Sequence, residues 1–472
     1  MVRSPIARVR SFIRRFGELE REVAAVRGSV GDLHHAVSEV RGSVEGLIQQ
    51  HSAALEARLD AGIRRVNDSA NYAARRAPLT RRRIRVLFLV HHIEAWDSSD
   101  ALVRALREEA DFEVVVASIP RRFRGMAELG QEEAVHAGLE ERGVAHIRIT
   151  LADDRDRLSL VRAVDPDIIF RQSQWDADVP EAFSTENLRF ARLCLVPYET
   201  INIVQNMPMD GVTNSAVDTE FHRAAWMVFC ASELNRQVAE RDGMRGGAQF
   251  VVTGHPKADH LRSVEPRWPI VHEGRRPRAR VVWSAHHTIL DDWTNFGVFH
   301  LVADDMLEWA RSAPDVDFVF MQHPALPPVL NDPASPLTPD QAAEFRAAWD
   351  ALPNTAVLAG GDYGPVLAAS DLMIVDGLSM LVEYQFMGKP LIHIERPGHR
   401  PFNEIGEIVM RGAHTVPGVA SARRLAEDFF DGAPDPLEQV QRETITRLFG
   451  DEPSVSRIVA ALRDALVSEL AR

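Results

Sequence analysis

Residues 370–395, SDLMIVDGLSMLVEYQFMGKPLIHIE, decide the fold. Leu372 to Val375 is a strand-sized apolar run that stops abruptly on Asp376-Gly377. A short helical stretch follows, then Gly388-Lys389-Pro390, then a second apolar run from Leu391 to Ile394. Two parallel strands joined by one helix make a βαβ unit. In open α/β sheets ligands bind beyond the carboxyl ends of such strands, against helix N-termini. The loop from Asp376 to Ser379 is therefore a candidate floor for a phosphorylated ligand. The plainer role for Asp376 is to cap the helix, whose first N–H groups need partners in any case.

The same alternation runs outward in both directions. From Ile84 the sequence gives strand IRVLFLV, helical SDALVRALREE, strand FEVVVAS, helical MAELGQEEAVHAGLEERG, strands AHIRIT and DIIFR around helical DRLSLVRAV, then FARLCLVPY, WMVFCAS, helical ELNRQVAERDG and QFVVTGHPK. Most of these strands are apolar on both faces, which predicts a parallel sheet covered on both sides. Residues 263–280, rich in Pro and Arg and without periodicity, predict a linker. ARVVWSA, DFVFMQ, TAVLAG and the opening βαβ unit then repeat the pattern, and helical stretches from Ala422 close the chain. The expected division is a first Rossmann-like domain over 84–262, the linker over 263–280, and a second such domain with C-terminal helices over 281–472.

A heptad run precedes the first strand. Phe12, Phe16, Leu19, Val23, Val26, Val30, Leu33, Val37, Val40, Val44 and Leu47 follow one another at alternating spacings of four and three. Sustained in this way, the spacing predicts a coiled coil over residues 1–80 and a homo-oligomer, dimer or trimer, joined through residues 12–47. Gly17, Gly28, Gly31, Gly42 and Gly46 lower its helix propensity by about 1 kcal/mol each. Beyond Leu47 the stripe shifts to Leu55, Leu59, Ile63 and Val66, and a break is expected at Pro78.

Composition narrows the function. The chain is 45% hydrophobic and 26% charged, as a globular protein is. No apolar run approaches the roughly 20 residues of a membrane span, and the arginines of MVRSPIARVRSFIRRF are followed by no apolar signal region. With two cysteines in all, Cys194 and Cys230, a disulfide framework and a cysteine metal site are disfavoured, and the cytoplasm is the expected compartment. The net charge is -14, yet residues 1–85 hold 17 Arg against 9 acidic residues. The acidic body and the sparse aromatics speak against nucleic acid, whereas the basic N-terminus suits an anionic membrane surface or a solvated helix end equally well. Of the 54 basic residues only Lys257 and Lys389 are lysines, both in loops beside strands. Arg and Lys are not equivalent at a tight site, so both positions are read as constrained.

Several residues stand where chemistry belongs. His91, His92, Glu94 and Asp97 follow the first strand, where a His or carboxylate serves to deprotonate an acceptor hydroxyl. Asp97 or Ser98 serves equally as a helix cap. His286, His287 and Thr288 end the first strand of the second half and are read as contacts to a donor's phosphate or base. Adjacent histidines rarely converge on one tetrahedral ion, so no metal site is expected there. His255 and Lys257 end the last strand of the first half and are read as phosphate contacts across a cleft.

WSAHHTI, DFVFMQHPAL and SDLMIVDGLSMLVEYQFMGKP occur in an order and spacing that resembles the CDP-glycerol glycerophosphotransferases, the teichoic-acid polymerase family. The resemblance covers Ile84 to about Glu407, more specifically in its second half, and leaves out the heptad run. It implies a metal-independent, cofactor-free GT-B enzyme. Its second domain would hold a nucleotide-activated donor, commonly a CDP-polyol, and its acceptor would be a glycan or lipid-linked hydroxyl at the inner face of the membrane. On this resemblance His323 matches a catalytic histidine that binds or protonates the departing phosphate. Asp376, Gly377, Ser379 and Glu383 fall in the donor loop and the helix after it, and Lys389 is grouped with them. His92 and Asp97 are the candidates for the base. The chain departs from the family at Gly377 and Leu378, where an aromatic and a Ser are usual, at Met321, where an Arg is common, and in lacking a Trp-His-Gly motif. A nucleotide-sugar glycosyltransferase of envelope polysaccharide, and a non-catalytic coiled-coil scaffold with a degenerate transferase fold, stay open as alternatives.

Overall fold

The computed structural model describes residues 5–76, 83–122, 129–206, 211–274, 276–290, 294–358 and 361–470. The chain forms two compact units, Met1–Ala73 and Ala74–Arg472. The first is a single helix, Pro5–Arg76, unbroken through its glycines. Its 72 residues span about 108 Å at 1.5 Å each. Every heptad residue from Phe12 to Leu47 is exposed, from 47% at Val23 to 69% at Phe12, so the helix by itself gives this stripe no core. The expected break at Pro78 lies outside the described residues.

The second unit holds two parallel sheets. The first contains β1 (Ile84–Val90), β2 (Phe112–Ser118), β3 (Ile147–Arg148), β4 (Ile168–Arg171), β5 (Arg192–Leu195), β6 (Met227–Cys230) and β7 (Phe250–Val252), in the order β3-β2-β1-β4-β5-β6-β7. The second contains β8 (Ala279–Ala285), β9 (Val316–Gln322), β10 (Thr355–Leu358), β11 (Leu372–Val375), β12 (Leu391–Ile394) and β13 (His414–Val416), in the order β10-β9-β8-β11-β12-β13. Each order reverses beside its first strand, between β1 and β4 and between β8 and β11. Such a switch point opens a crevice at the carboxyl ends of the strands. The central strands are buried on both faces, as their unbroken apolar runs require.

The sequence missed β13 and the helix Glu404–Met410, both too short to show a period. The helix expected from residue 126 is found only at Glu132–Glu141; residues 123–128 are outside the described set. One boundary needs correction. The helix Ser454–Leu470, expected with the second domain, returns to the first sheet. Its Ile458, Val459, Leu462 and Leu466 share a core with Val86, Phe88, Leu102 and Leu106. Arg463 reinforces the return through Asp111 and Glu109, at 2.8 and 2.5 Å. A further apolar cluster joins Ile201, Ile203, Ala258 and Leu261 of the first half to Val375, Leu381 and Val382 of the second. The two halves therefore share a packed interior.

Candidate active site

The carboxyl ends of β8, β9 and β11 bring together His286, His287, Thr288, His323, Asp376 and Gly377. Asp376 organises the group: its carboxylate accepts the N–H groups of His286 and Val298, both at 2.7 Å. It therefore ties the loop after β8 to the start of the next helix instead of capping its own. Burial raises its pKa to about 7 against the pull of those N–H donors. Gly377 is required by close approach, since a Cβ there would lie 2.7 Å from the His286 Cβ. The residue that departs from the family pattern is thus the one that admits the His286 ring.

Ring centres lie 5.2 Å apart for His286 and His323, and 4.3 Å apart for His287 and His323. One ligand-type atom of each of the three falls within 4.8 Å of the others, so the adjacent pair does converge, contrary to the expectation from sequence. The hydrogen bonds decide what the cluster can hold. His323 Nδ1 accepts the Ala325 N–H at 3.0 Å, which leaves the ring proton on Nε2. The Thr288 hydroxyl accepts from the Phe296 and Gly297 N–H groups, so its own proton goes to His286 Nδ1 at 2.8 Å. His286 also carries its proton on Nε2. A metal needs lone pairs at those atoms; two N–H donors suit an anion.

Burial first, and the electrostatic effect of His92 and Arg121 after it, lower the His323 pKa to about 4. Burial and then His323 lower that of His286. The cationic imidazole implied by the resemblance gives way to neutral rings at pH 7. Across the crevice Arg121, from the loop after β2, is held by Glu94 at 2.6 and 2.8 Å and lies 3.3 Å from His92 Nδ1, which must accept. That leaves the His92 proton on Nε2, so in this state the ring is a donor and not a base. His91 is fully buried.

Other expected site residues are used differently. Lys257 is buried and lies 3.3 Å from Glu383, 3.7 Å from Asp97 and 2.9 Å from the Tyr363 hydroxyl, which also donates to Glu383. Lys257 and Glu383 pair between the halves, so neither Lys257 as a phosphate contact nor Glu383 as a donor-pocket wall is retained; Asp97, beyond hydrogen-bond distance of the ammonium, has an Oδ1 without a partner and a pKa raised by burial. His255 caps the helix Pro256–Ser263 through Nδ1 and donates from Nε2 to the Pro197 carbonyl at 2.8 Å; it has no proton donor left for phosphate. Lys389 sits at the amino end of β12, away from the crevice, and binds the Ala368 and Ser370 carbonyls at 2.6 and 2.5 Å. It satisfies a helix end, so it is no donor contact. Ser379 is half-buried in the first turn after Gly377.

Sequence reading missed Arg121, Tyr363, Glu199 and Arg396. Arg396 is buried and binds the Thr288, Ile289 and Gly297 carbonyls, fixing the loop that carries the imidazoles. Nothing in its local sequence marks it, because its partners are more than 90 residues away.

No protein-family model and no curated protein sequence matches the chain. Solved structures do. A UDP-GlcNAc 2-epimerase from Neisseria meningitidis bound to UDP-GlcNAc aligns at a TM-score of 0.55 and 11% identity, over 81% of this chain and 100% of that one. MnaA of S. aureus in complex with UDP aligns at 0.53 and 14%, over 81% and 97%. A variant of the wall teichoic acid polymerase TagF aligns at 0.53 and 9%, over 87% and 94%. With its two switch points and shared crevice, the second unit has a GT-B-like fold.

Proposed function

We propose that the chain is a transferase of cell-surface polymer synthesis that moves a glycerol- or ribitol-phosphate from a CDP-activated donor to a hydroxyl of a glycan or lipid-linked acceptor. The observation that carries this reading is the pair of half-buried neutral imidazoles, His286 and His323, each with Nε2–H available beside the Asp376-Gly377 loop. In the reaction the acceptor oxygen bonds to the polyol-bearing phosphorus and the bond from that phosphorus to the CMP oxygen breaks. The electron pair stays on that oxygen, which His323 Nε2–H stabilises, and the acceptor proton passes to Asp97 of the first half, a carboxylate that burial makes more basic. The TagF neighbour supports this reading at the level of fold.

A second reading, transfer of a sugar from a nucleotide-sugar, has its own support, since two neighbours were solved with UDP-GlcNAc and UDP. The reading places the enzyme in the cytoplasm as a homo-oligomer joined through residues 12–47, its basic N-terminus against the membrane. Among the described residues no helix is long and apolar enough to cross a membrane. Calorimetric titration with CMP, CDP, UDP and GDP tests the proposal. Selective cytidine binding supports polyol-phosphate transfer and a uridine or guanosine preference moves the assignment to sugar transfer. Silence from all four leaves a non-catalytic scaffold.

A further inference from the structure

Apart from the imidazole cluster, a second site is built at the carboxyl ends of β5 and β6. A cavity there is lined by Gln174, Glu199, Thr200, Val217, Phe229 and Asn235, among others, and by Asn403 and Ile405 of the second half. It offers about 60 Å³ to the centres of water molecules. At roughly 10–15 Å³ for each water, this is room for about four to six heavy atoms.

Its polar groups are unfinished. Thr200 is 3% exposed and Gln174 5% exposed, yet Thr200 Oγ1 and Gln174 Oε1 have no hydrogen-bond partner. Leaving such groups unpaired in the interior is costly, so two in the lining of one cavity call for a ligand that supplies both. Glu199 adds a carboxylate that burial pushes up to about 7 against the attraction of Lys257. None of the described lining residues is Arg or Lys, which disfavours a phosphate, and one carboxylate alone is a poor cation site. An amide, a hydroxyl and a carboxylate in a lining shared with Val217, Phe229 and Val238 match a ligand that carries both hydroxyls and C–H groups.

We propose that this cavity binds a neutral, hydroxyl-rich ligand, a polyol end or the edge of one sugar ring, through Gln174, Thr200 and Glu199. In the transfer proposed above that ligand is the acceptor; this identification rests on that reading, while the binding itself does not.

The test is saturation-transfer NMR on the full chain with glycerol, ribitol and N-acetylglucosamine as probes, followed by titration of any that bind. Thr200→Val and Gln174→Met keep shape and remove the orphaned groups. Each is expected to weaken binding roughly three- to tenfold. Because Thr200→Val deletes an unsatisfied hydroxyl, its melting temperature should equal or exceed that of the wild type, which separates lost binding from lost fold. Nucleotide titration of both variants should be unchanged. Silence from all three probes overturns the proposal and leaves a cavity for water only. Binding that neither variant weakens also overturns it. Polyol or sugar binding without nucleotide binding upholds this site and removes the transferase reading.

Discussion

The Lys257 ammonium lies 3.3 Å from the Glu383 carboxylate, both buried, although one residue follows the first sheet's last strand and the other follows β11 of the second. Asp97 and Tyr363 complete the group at 3.7 and 2.9 Å from the same nitrogen. A buried pair contributes little net stability compared with an apolar pair of like volume, but removing one member strands the other. Lys257→Met should therefore cost about 3 kcal/mol in urea unfolding. Adding Glu383→Leu should recover part of that loss, the remainder being the burial of Asp97 without its cation. Single costs that simply add in the double variant would show that the two side chains do not act as a unit.

Neutral imidazoles make anion binding a proton-linked event. A phosphate beside His323, lowered to about 4 when empty, favours the charged ring and raises its pKa. Binding of a nucleoside diphosphate at pH 5–6 should therefore take up protons, read as a binding enthalpy that varies with the ionisation enthalpy of the buffer. His323→Ala should reduce that dependence, His286 remaining, and weaken binding roughly ten- to hundredfold, the range for a hydrogen bond to a charged group. A wild-type enthalpy independent of buffer would mean that His323 stays neutral and serves only as an N–H donor.

Gly377→Ala tests the close approach on which the cluster depends. The φ at this position is -120°, ordinary for any residue, so the cost comes from contact alone. The added methyl would sit 2.7 Å from the His286 Cβ and 2.8 Å from its Cδ2. The expected loss is about 1–3 kcal/mol of stability together with weaker nucleotide binding, as His286 is pushed off the Asp376 loop. Unaltered affinity would show that His286 is not part of the nucleotide site.

The strands were legible because a central parallel strand is an unbroken apolar run, and IRVLFLV and LMIV begin and end where the sequence places them. His286, His287, Thr288 and Asp376 were legible for a related reason: in this topology ligands meet the carboxyl ends of strands. Rarity misled in the case of the lysines. Both are constrained, as their scarcity suggests, but by a buried ion cluster and a helix end, and sequence cannot say which partner holds a constrained residue. Arg121, Arg396 and the cavity at Glu199 were invisible because each depends on contacts between segments far apart in the chain, which no local period encodes.

Asp376 gives the stability a pH dependence of known sign. Its pKa is raised to about 7 in the fold, above the ordinary carboxylate value, so its contribution is full at low pH and is lost as pH rises towards 7. Asp376→Asn keeps one acceptor and removes the titration. Between pH 5 and 7 the wild type should lose about 1 kcal/mol per pH unit relative to the variant. The buried histidines His222 and His255, lowered to about 3, give the opposite slope below pH 6.5, but they are common to both proteins and cancel in the comparison. A difference in unfolding free energy that stays flat over this range would place the Asp376 pKa at its ordinary value.

The long helix allows a prediction independent of any chemistry. In its heptad frame Phe16, Val23, Val30, Val37 and Val44 fall at one seam position and Leu19, Val26, Leu33, Val40 and Leu47 at the other, all exposed. β-Branched residues at the first with Leu at several of the second favour two parallel strands, although Val at the second also admits three. In a parallel pair in register, Arg15 faces Glu20 of the second copy and Glu22 faces Arg27, so both flanking pairs are of opposite charge. The whole chain should then show at least twice the mass of one chain, 52.7 kDa, by light scattering. Deleting residues 1–76 should return it to one copy. Val30→Asp should weaken the assembly without touching the second unit, because a carboxylate at a seam position is buried only when the helices pair. A full-length chain that runs as a monomer at micromolar concentration would mean that the stripe is kept for a different helix.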